Sequence, residues 1–171
     1  MSIRKKYEKY GVKNYYENFG NNYVNPHFDK LNEGTIKIWK EWNLPNKNIL
    51  DLACGSGEIS LIISKLNCKN IIGCDPFTCD NYFNNTKNKT LRYSFDDITA
   101  GKLTTKFKII VCSYAMHLIE TSKLPNLLFA LSSISNLLLI VSPHKKPIIK
   151  NYFTLKQTTI INRIHFNLYT I

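Results

Sequence analysis

The sequence predicts an α/β domain whose mostly parallel sheet is covered by helices on both faces. Two observations lead to this fold class. Short continuous apolar runs are typical of strands buried on both faces, and stretches with helical spacing of apolar residues separate most of them. Strands that alternate with helices form βαβ units and hence parallel sheets. The apolar runs cover residues 49–52, 71–74, 91–95, 107–112 and 137–141.

Helical patterns surround these runs. The first covers 27–42 and ends before Asn43, Leu44 and Pro45. At the carboxyl end, two stretches have the character of strands with no helix between them. They cover 152–159 and 161–169, and Ile164, Phe166 and Leu168 share one face of the second. Further helices are predicted at 59–66, 77–83 and 125–134.

The chain of 171 residues predicts one core domain at 27–171, preceded by an aromatic and basic arm or lid at 1–26. The hydrophobic fraction of 44% and the charged fraction of 20% are those of a soluble globular protein. No apolar run is long enough to span a membrane, and the basic amino terminus lacks the apolar region of a secretory signal. We expect a cytoplasmic protein, with the nucleus as an alternative, that is a monomer or a small oligomer.

The net charge of +11 predicts attraction to an anionic partner, with nucleic acid as the first choice. Because the lysines are scattered along the chain, compositional drift explains the charge equally well. The five cysteines form no CxxC pair, so we expect buried thiols and no metal site. The cysteines are Cys54, Cys68, Cys74, Cys79 and Cys112.

The chain is organised around residues 48–60, NILDLACGSGEIS, which read as strand, tight turn and helix. Gly55 and Gly57 would let the backbone approach a ligand closely, and the helix start offers free N–H groups. Carboxylates follow successive strands, first Asp51 and Asp75 and then the pair Asp96-Asp97. In an open parallel sheet, these strand ends form the ligand crevice.

Asp75 lies 75 − 57 = 18 residues after Gly57, which suits hydrogen bonding to ribose hydroxyls. Capping of the next helix, ahead of Pro76, is the alternative role. A nicotinamide or flavin dinucleotide is disfavoured, because Ser60 replaces the third glycine of G-x-G-x-x-G. Asp51 would also repel a pyrophosphate, whereas it would pair with an ammonium group.

At this point the sequence resembles the class I S-adenosylmethionine-dependent methyltransferases. The motifs that carry the resemblance are LDLACGSGEIS at 50–60, GCDP at 73–76, FDDI at 95–98, VCSYAMHLI at 111–119 and LLIVSPHKKP at 138–147. Ala53 stands where the family often has a further glycine, and CSYAMH replaces the NPPY-like motif of enzymes that methylate the amino groups of adenine or glutamine. The resemblance implies a three-layer α/β/α Rossmann-like fold with seven strands and an antiparallel carboxyl-terminal edge strand.

The resemblance also implies S-adenosylmethionine as the cofactor and assigns a role to each motif. The turn would lie against the methionine part, Asp51 near the amino group, Asp75 at the ribose, and Asp96 or Asp97 at the adenine amine. Ile98 would lie beside the adenine ring, and Cys112 and Ser113 would face the cleft. The full predicted cofactor-binding set is Asp51, Ala53, Cys54, Gly55, Gly57, Asp75, Pro76, Asp96, Asp97, Ile98, Cys112 and Ser113.

Methyl transfer from a sulfonium is an in-line displacement, so a general base is needed only if the acceptor must lose a proton. His117 and His144, on the loops after the fourth and fifth strands, are the candidates. Tyr114 and Tyr23 are candidates to line the acceptor pocket, and Tyr114 joins the two histidines as a candidate catalytic residue. Lys145 and Lys146 could steer a phosphate or carboxylate, or simply be solvated.

The sequence therefore predicts an active S-adenosylmethionine-dependent methyltransferase. RNA, protein and small molecules all remain open as acceptors, and the charge favours RNA. The alternative is a catalytically weak or inactive methyltransferase-fold subunit that binds within an RNA-modifying complex. A nucleotide-dependent oxidoreductase is disfavoured by the missing glycine and by Asp51.

Overall fold

The computed structural model describes residues 28–171. The predicted arm at 1–26, with Tyr23, lies outside these residues. The helices are α1 (Phe28–Glu41), α2 (Glu58–Ser64), α3 (Cys79–Thr86), α4 (Phe95–Thr99) and α5 (Leu124–Ser132), with a short 3-10 turn at Met116–Leu118. The strands are β1 (Lys47–Leu52), β2 (Lys69–Cys74), β3 (Thr90–Leu91), β4 (Ile109–Ser113), β5 (Leu137–Ser142), β6 (Thr154–Ile161) and β7 (Ile164–Thr170).

The strands form one seven-stranded sheet in the order β3-β2-β1-β4-β5-β7-β6. Neighbours among the first five are parallel, whereas β7 is antiparallel to both β5 and β6. The predicted mixed sheet is confirmed. The antiparallel strand lies one position in from the edge, because β6 and β7 form a hairpin and β6 takes the outer place. The strand order reverses between β1 and β4, which puts the switch point beside the turn that follows β1.

Apolar side chains cover both faces of the sheet, and this produces the three layers. One cluster joins the sheet to α1 and α2, and it includes Ile164, Phe166 and Leu168 on the predicted face of β7. The other cluster joins the sheet to α4 and α5. All five cysteines are free and buried, as predicted.

The third strand is shorter than predicted. The apolar run at 91–95 ends as a strand at Leu91, and α4 begins at Phe95. The cause is a capping box. The Ser94 hydroxyl accepts from the Asp97 N–H at 3.1 Å, and the Asp97 carboxylate accepts from the Ser94 N–H at 2.9 Å. As a result, β3 pairs with only two residues of β2, Gly73 and Cys74.

Candidate cofactor site

The turn between β1 and α2 is built from left-handed residues. Ala53, Gly55 and Gly57 have φ values of 55°, 54° and 94°. A Cβ on Gly57 would lie 2.5 Å from Thr86 Cγ2, so this position requires glycine. At Gly55 the nearest atom to such a Cβ is a Glu58 carboxylate oxygen at 3.6 Å, an ordinary van der Waals contact, so the backbone is not crowded on that side. Ala53 adopts the same conformation with a side chain, at a cost of about 1 kcal/mol.

Asp51 lies near the end of β1, almost fully buried at 1% exposure. One carboxylate oxygen accepts from the Ser60 hydroxyl at 2.7 Å and from the Ser60 N–H at 3.2 Å. The Ser60 hydroxyl also lies 2.7 Å from the Tyr82 hydroxyl. Burial raises the pKa of Asp51 to about 7, and the charges of Glu58 and Asp75 add to the rise, while the bonds from Ser60 oppose it. Asp51 is thus positioned by the residue that replaces the third glycine.

Glu58 belongs to the same site, although the sequence motifs did not point to it. It is the first residue of α2, and burial raises the pKa of its carboxyl group. Hydrogen bonding from the backbone of Glu58, Ser56 and Gly57 opposes that rise. The N–H groups that a phosphate would use at this turn therefore already face a carboxylate of the chain. The signal in the sequence was the acidic residue directly after the last turn glycine.

Asp75 connects the turn to the end of β2. Its Oδ1 accepts from the Phe77 N–H at 2.8 Å and from the Thr78 N–H at 3.1 Å, and its Oδ2 lies 3.4 Å from the Gly55 nitrogen. These bonds cap the turn ahead of α3. The helix itself has Thr78 as its N-cap and no side-chain capping bond, so the alternative role of Asp75 as the cap of the next helix is wrong. Pro76 lies half-buried within this capped turn. The ribose role of Asp75 stays a prediction.

Three carboxylates consequently surround one turn. Within residues 28–171, the ion pairs of lysine and arginine involve other acidic groups and none of Asp51, Glu58 and Asp75. No group of three or more His, Cys, Asp or Glu side chains in this part of the chain is arranged to hold a metal ion. A cluster of carboxylates without a cationic partner is complementary to a positively charged organic ligand.

The predicted adenine residues have other partners. Both carboxylate oxygens of Asp97 are engaged, by the Ser94 cap and by Lys102 Nζ at 2.6 Å, and these contacts lower its pKa well below the usual range. Asp96 is exposed on α4 and lies 3.3 Å from Lys123 Nζ. Ile98 is buried in the core at 1% exposure, and its position beside an adenine ring stays a prediction.

Two of the predicted cysteines belong to the core. The prediction that Cys112 follows the fourth strand is wrong, since it lies within β4 and is fully buried. Its role at the cofactor cleft stays a prediction. Burial raises its pKa to about 12. Cys54 is also buried, and its N–H donates to the Cys74 carbonyl at 3.2 Å, which joins the turn to β2. Ser113, the last residue of β4, is half-buried at the strand end.

The two candidate base residues come together. The rings of His117 and His144 meet edge to face with centroids 5.4 Å apart. His117 lies in the 3-10 turn after β4, and its buried Nδ1 has no hydrogen-bond partner among residues 28–171. Burial, together with the neighbouring His144, lowers the pKa of His117. His117 is therefore held toward the neutral form, in which a ring nitrogen can accept a proton.

Tyr114 lies between β4 and this histidine pair. It adopts a left-handed backbone with φ 57°, and its N–H donates to the Val141 carbonyl at 2.8 Å. A tyrosine in this conformation is strained, and the bond to β5 holds it there. Burial raises the pKa of its hydroxyl. The three predicted catalytic residues thus lie on the two loops that follow β4 and β5.

None of the helices formed by residues 28–171 is long and apolar enough to cross a membrane. No family model matches the chain. Among solved structures, magnesium protoporphyrin IX methyltransferase from Synechocystis, with bound S-adenosylmethionine, is similar with a TM-score of 0.66 and 13% identity, over 98% of this chain and 94% of that one. The N-methyltransferase NodS from Bradyrhizobium japonicum, in complex with S-adenosylhomocysteine, has a TM-score of 0.67 and 10% identity, over 85% of this chain and 88% of that one.

A putative RNA methyltransferase from Pyrococcus horikoshii has a TM-score of 0.58 and 15% identity, over 81% of this chain and 79% of that one. Among curated proteins, an uncharacterized protein of Schizosaccharomyces pombe is 30% identical over 87% of this chain and 77% of its own length. The chain therefore belongs to the family of this fission yeast protein, and it has the fold of the class I S-adenosylmethionine-dependent methyltransferases.

Proposed function

We propose that the protein binds S-adenosylmethionine and directs methyl transfer to an acceptor. The observation that carries this proposal is the group of Asp51, Glu58 and Asp75 around one turn, without a cationic partner in residues 28–171. The cofactor has a sulfonium and an ammonium group, which these carboxylates would attract. The same charges would repel a dinucleotide, whose pyrophosphate would face Glu58 at the helix start.

The turn residues would bind the methionine part through their backbone, since it is not crowded at Gly55. Asp51 would attract the ammonium group, and a positive charge there would lower the raised pKa of its carboxyl group. Asp75 would accept from the ribose hydroxyls through Oδ2, since its Oδ1 already accepts from the Phe77 and Thr78 N–H groups. Asp96 is the more accessible of the two acidic residues proposed for the adenine amine, because Asp97 is occupied by the cap of α4 and by Lys102.

When bound, the cofactor supplies an activated methyl group. Alignment and exclusion of water then fall to the chain, and a base is needed where the acceptor carries a proton. His117 is suited to take that proton, because its lowered pKa keeps the ring in the neutral form that can accept one. His144, whose ring meets that of His117, would orient it and disfavour its charged form. Tyr114 would line the acceptor side.

The basic charge of the chain favours RNA as the acceptor. An inactive binding subunit with the same fold remains the second candidate. The two are distinguished by transfer of radiolabelled methyl groups to fractionated RNA, protein and metabolites. Cofactor binding without transfer to any fraction would favour the subunit.

Isothermal titration with S-adenosylmethionine tests the proposal, and Gly55→Ala and Gly101→Ala form a matched pair. Both glycines have left-handed backbones, with φ 54° and 82°, and neither has a crowded Cβ position. Each substitution should cost about 1 kcal/mol of folding stability. Gly55→Ala alone should weaken cofactor binding, by about tenfold, because its methyl group would occupy the ligand side of the turn.

Absence of binding by the wild-type protein at millimolar cofactor would overturn the proposal. So would equal cofactor affinity of the two variants, since the turn would then not be the binding surface.

A further inference from the structure

The last part of the chain is free of acidic residues. No Asp or Glu follows Glu120, although this part forms α5, β5, β6 and β7. Of its cationic residues, Lys123 contacts Asp96, whereas the others form no ion pair within residues 28–171. The cationic residues are Lys123, Lys145, Lys146, Lys150, Lys156 and Arg163. A surface with one sign of charge attracts ligands of the other sign.

A groove of about 300 Å³ lies on this part of the molecule. Residues 143–153 cross from β5 to β6 without forming a helix. Ile149 and Phe153 of this segment are buried with Tyr169, whereas Leu155 and Ile160 on the same face of the β6–β7 hairpin stay exposed. The segment supplies Lys145, Pro147 and Ile148 to one wall. The floor comes from the hairpin and consists of Leu155, Thr158, Ile160, His165, Asn167 and Tyr169. We call this feature the hairpin groove.

The hairpin groove begins next to the histidine pair. His144 directly precedes Lys145 on its wall, and the His144 N–H donates to Ser142 at the end of β5. Ser142 is paired with His165 of the floor. A ligand in the hairpin groove would thus lie beside the loop that carries His144, whose ring meets that of His117.

The side chains of this region match an unpaired nucleotide chain. Ile148 and Ile160 are 64% and 59% exposed, which offers apolar surface to the faces of bases. At the far end of the same segment, Tyr152 meets Phe129 of α5 with ring centroids 5.4 Å apart, and both rings are exposed. Exposed aromatic rings among lysines are typical of proteins that bind single strands. On the floor, the Thr158 hydroxyl donates to Asn167 Oδ1 at 2.6 Å, so the groups offered to a ligand are the Asn167 amide nitrogen and the His165 ring. Such groups suit the 2′-hydroxyl that distinguishes RNA.

We propose that the hairpin groove binds single-stranded RNA as the methyl acceptor, with phosphates beside Lys145 and Lys146 and bases against its apolar floor. This inference rests on the proposed methyltransferase function, and it identifies the substrate class of the same site. It differs from attraction by net charge, because it assigns binding to two lysines out of the many on the surface.

The test uses the full chain and a short labelled RNA of mixed sequence, with binding followed by fluorescence anisotropy at several salt concentrations. The variant Lys145→Glu/Lys146→Glu is compared with Lys47→Glu/Lys69→Glu. The control lysines are also exposed, and they are paired neighbours at the amino-terminal ends of β1 and β2. Both double variants change the net charge equally.

The groove variant should bind RNA about tenfold more weakly, and its logarithmic salt slope should be smaller by about 1.4, as expected for two lost phosphate contacts. The RNA affinity of the control variant, which has the same net charge as the groove variant, should stay within about twofold of wild type. Equal losses in both variants would overturn the inference, as would DNA of the same sequence binding as tightly as RNA. Displacement of the RNA by polyglutamate as effectively as by unlabelled RNA would indicate an acidic protein partner instead and would also overturn it.

Titration with S-adenosylmethionine separates the two proposals. Lack of cofactor binding would sink the methyltransferase function itself. Cofactor binding by a protein that binds no RNA would overturn the RNA inference alone.

Discussion

The turn after β1 and the carboxyl-terminal strands differ in local charge. Asp51, Glu58 and Asp75 gather around the turn without cationic partners in the described chain, whereas β5, β6 and β7 contain no acidic residue at all. A net charge of +11 does not describe the surroundings of the turn. The difference teaches that the binding preference of a site follows the charges that face it, because burial strengthens nearby charges and solvent screens distant ones.

The same comparison explains the position of the proposed chemistry. The proposed cationic cofactor would be attracted to the turn and the proposed anionic acceptor to the carboxyl-terminal strands. The histidine pair lies on the loops after β4 and β5, between these two regions. Three experiments test whether this division is real, beginning with the residue at the boundary.

His117→Gln should produce the largest loss. Removal of a general base lowers the rate of methyl transfer by roughly 10²- to 10⁴-fold. Because burial and His144 lower the pKa of His117, the wild-type rate should fall only at a pH below the usual histidine range. Single-turnover transfer of labelled methyl groups to fractionated RNA, measured across pH, would check this.

His144→Gln is the companion variant. Loss of the neighbouring ring should raise the pKa of His117 and move the acid limb of the rate profile to higher pH. A His117→Gln protein that kept the same acid limb would show that another group takes the proton.

Asp51→Asn should reveal how the buried carboxyl group beside the turn affects stability. A carboxyl group whose pKa is raised from 3.8 to about 7 stabilises the fold fully below the unfolded value, and this contribution is lost as the pH rises to about 7. As the pH rises from 5 to 8, the wild type should therefore lose about 3 kcal/mol of unfolding free energy that Asp51→Asn does not lose. Urea unfolding at the two pH values measures it.

Asp80→Asn serves as the control for this experiment. Its side chain is 85% exposed and contacts Arg92, so no comparable dependence on pH is expected. If wild type and Asp51→Asn change in parallel between pH 5 and pH 8, Asp51 does not carry the raised pKa.

Asp75→Asn should have the smallest of the three effects. The amide oxygen can still accept from the Phe77 and Thr78 N–H groups, so the turn should keep its fold. The charge and one acceptor oxygen are lost, which should weaken cofactor binding by about 30-fold, as expected for a charge-assisted hydrogen bond. Isothermal titration of Asp75→Asn beside Asp80→Asn would decide. Unchanged affinity of Asp75→Asn would leave Asp75 as a cap alone.

Local patterns in the sequence predicted much of the fold. Continuous apolar runs marked β1, β2, β4 and β5, because strands buried on both faces must be apolar along their whole length. Alternation marked the face of β7. The prediction of a strand over 91–95 was wrong beyond Leu91. Tyr93 and Phe95 give this stretch its apolar character, but the Ser94–Asp97 capping box starts a helix there.

The sequence predicted the residues of the site less completely than the fold. Asp51, the turn and Asp75 come together, since parallel strands present their carboxyl ends at one edge. Cys112 was placed after the fourth strand although β4 extends to Ser113, because local patterns define strand ends only to within a residue or two. Glu58 was missed because its role depends on the left-handed turn before it, which brings its carboxylate toward the backbone N–H groups.

By itself, the sequence determined the fold class, the glycine-rich turn and the recurrence of acidic residues after successive strands, because these depend on local spacing. The tertiary structure alone decided which charges share a site and which are paired. Three features arise from segments that are far apart in the chain. They are the burial that raises the pKa of Asp51, the contact of His117 with His144 and the partly uncovered face of the hairpin. Such distances in space are set by packing, and no local pattern records them.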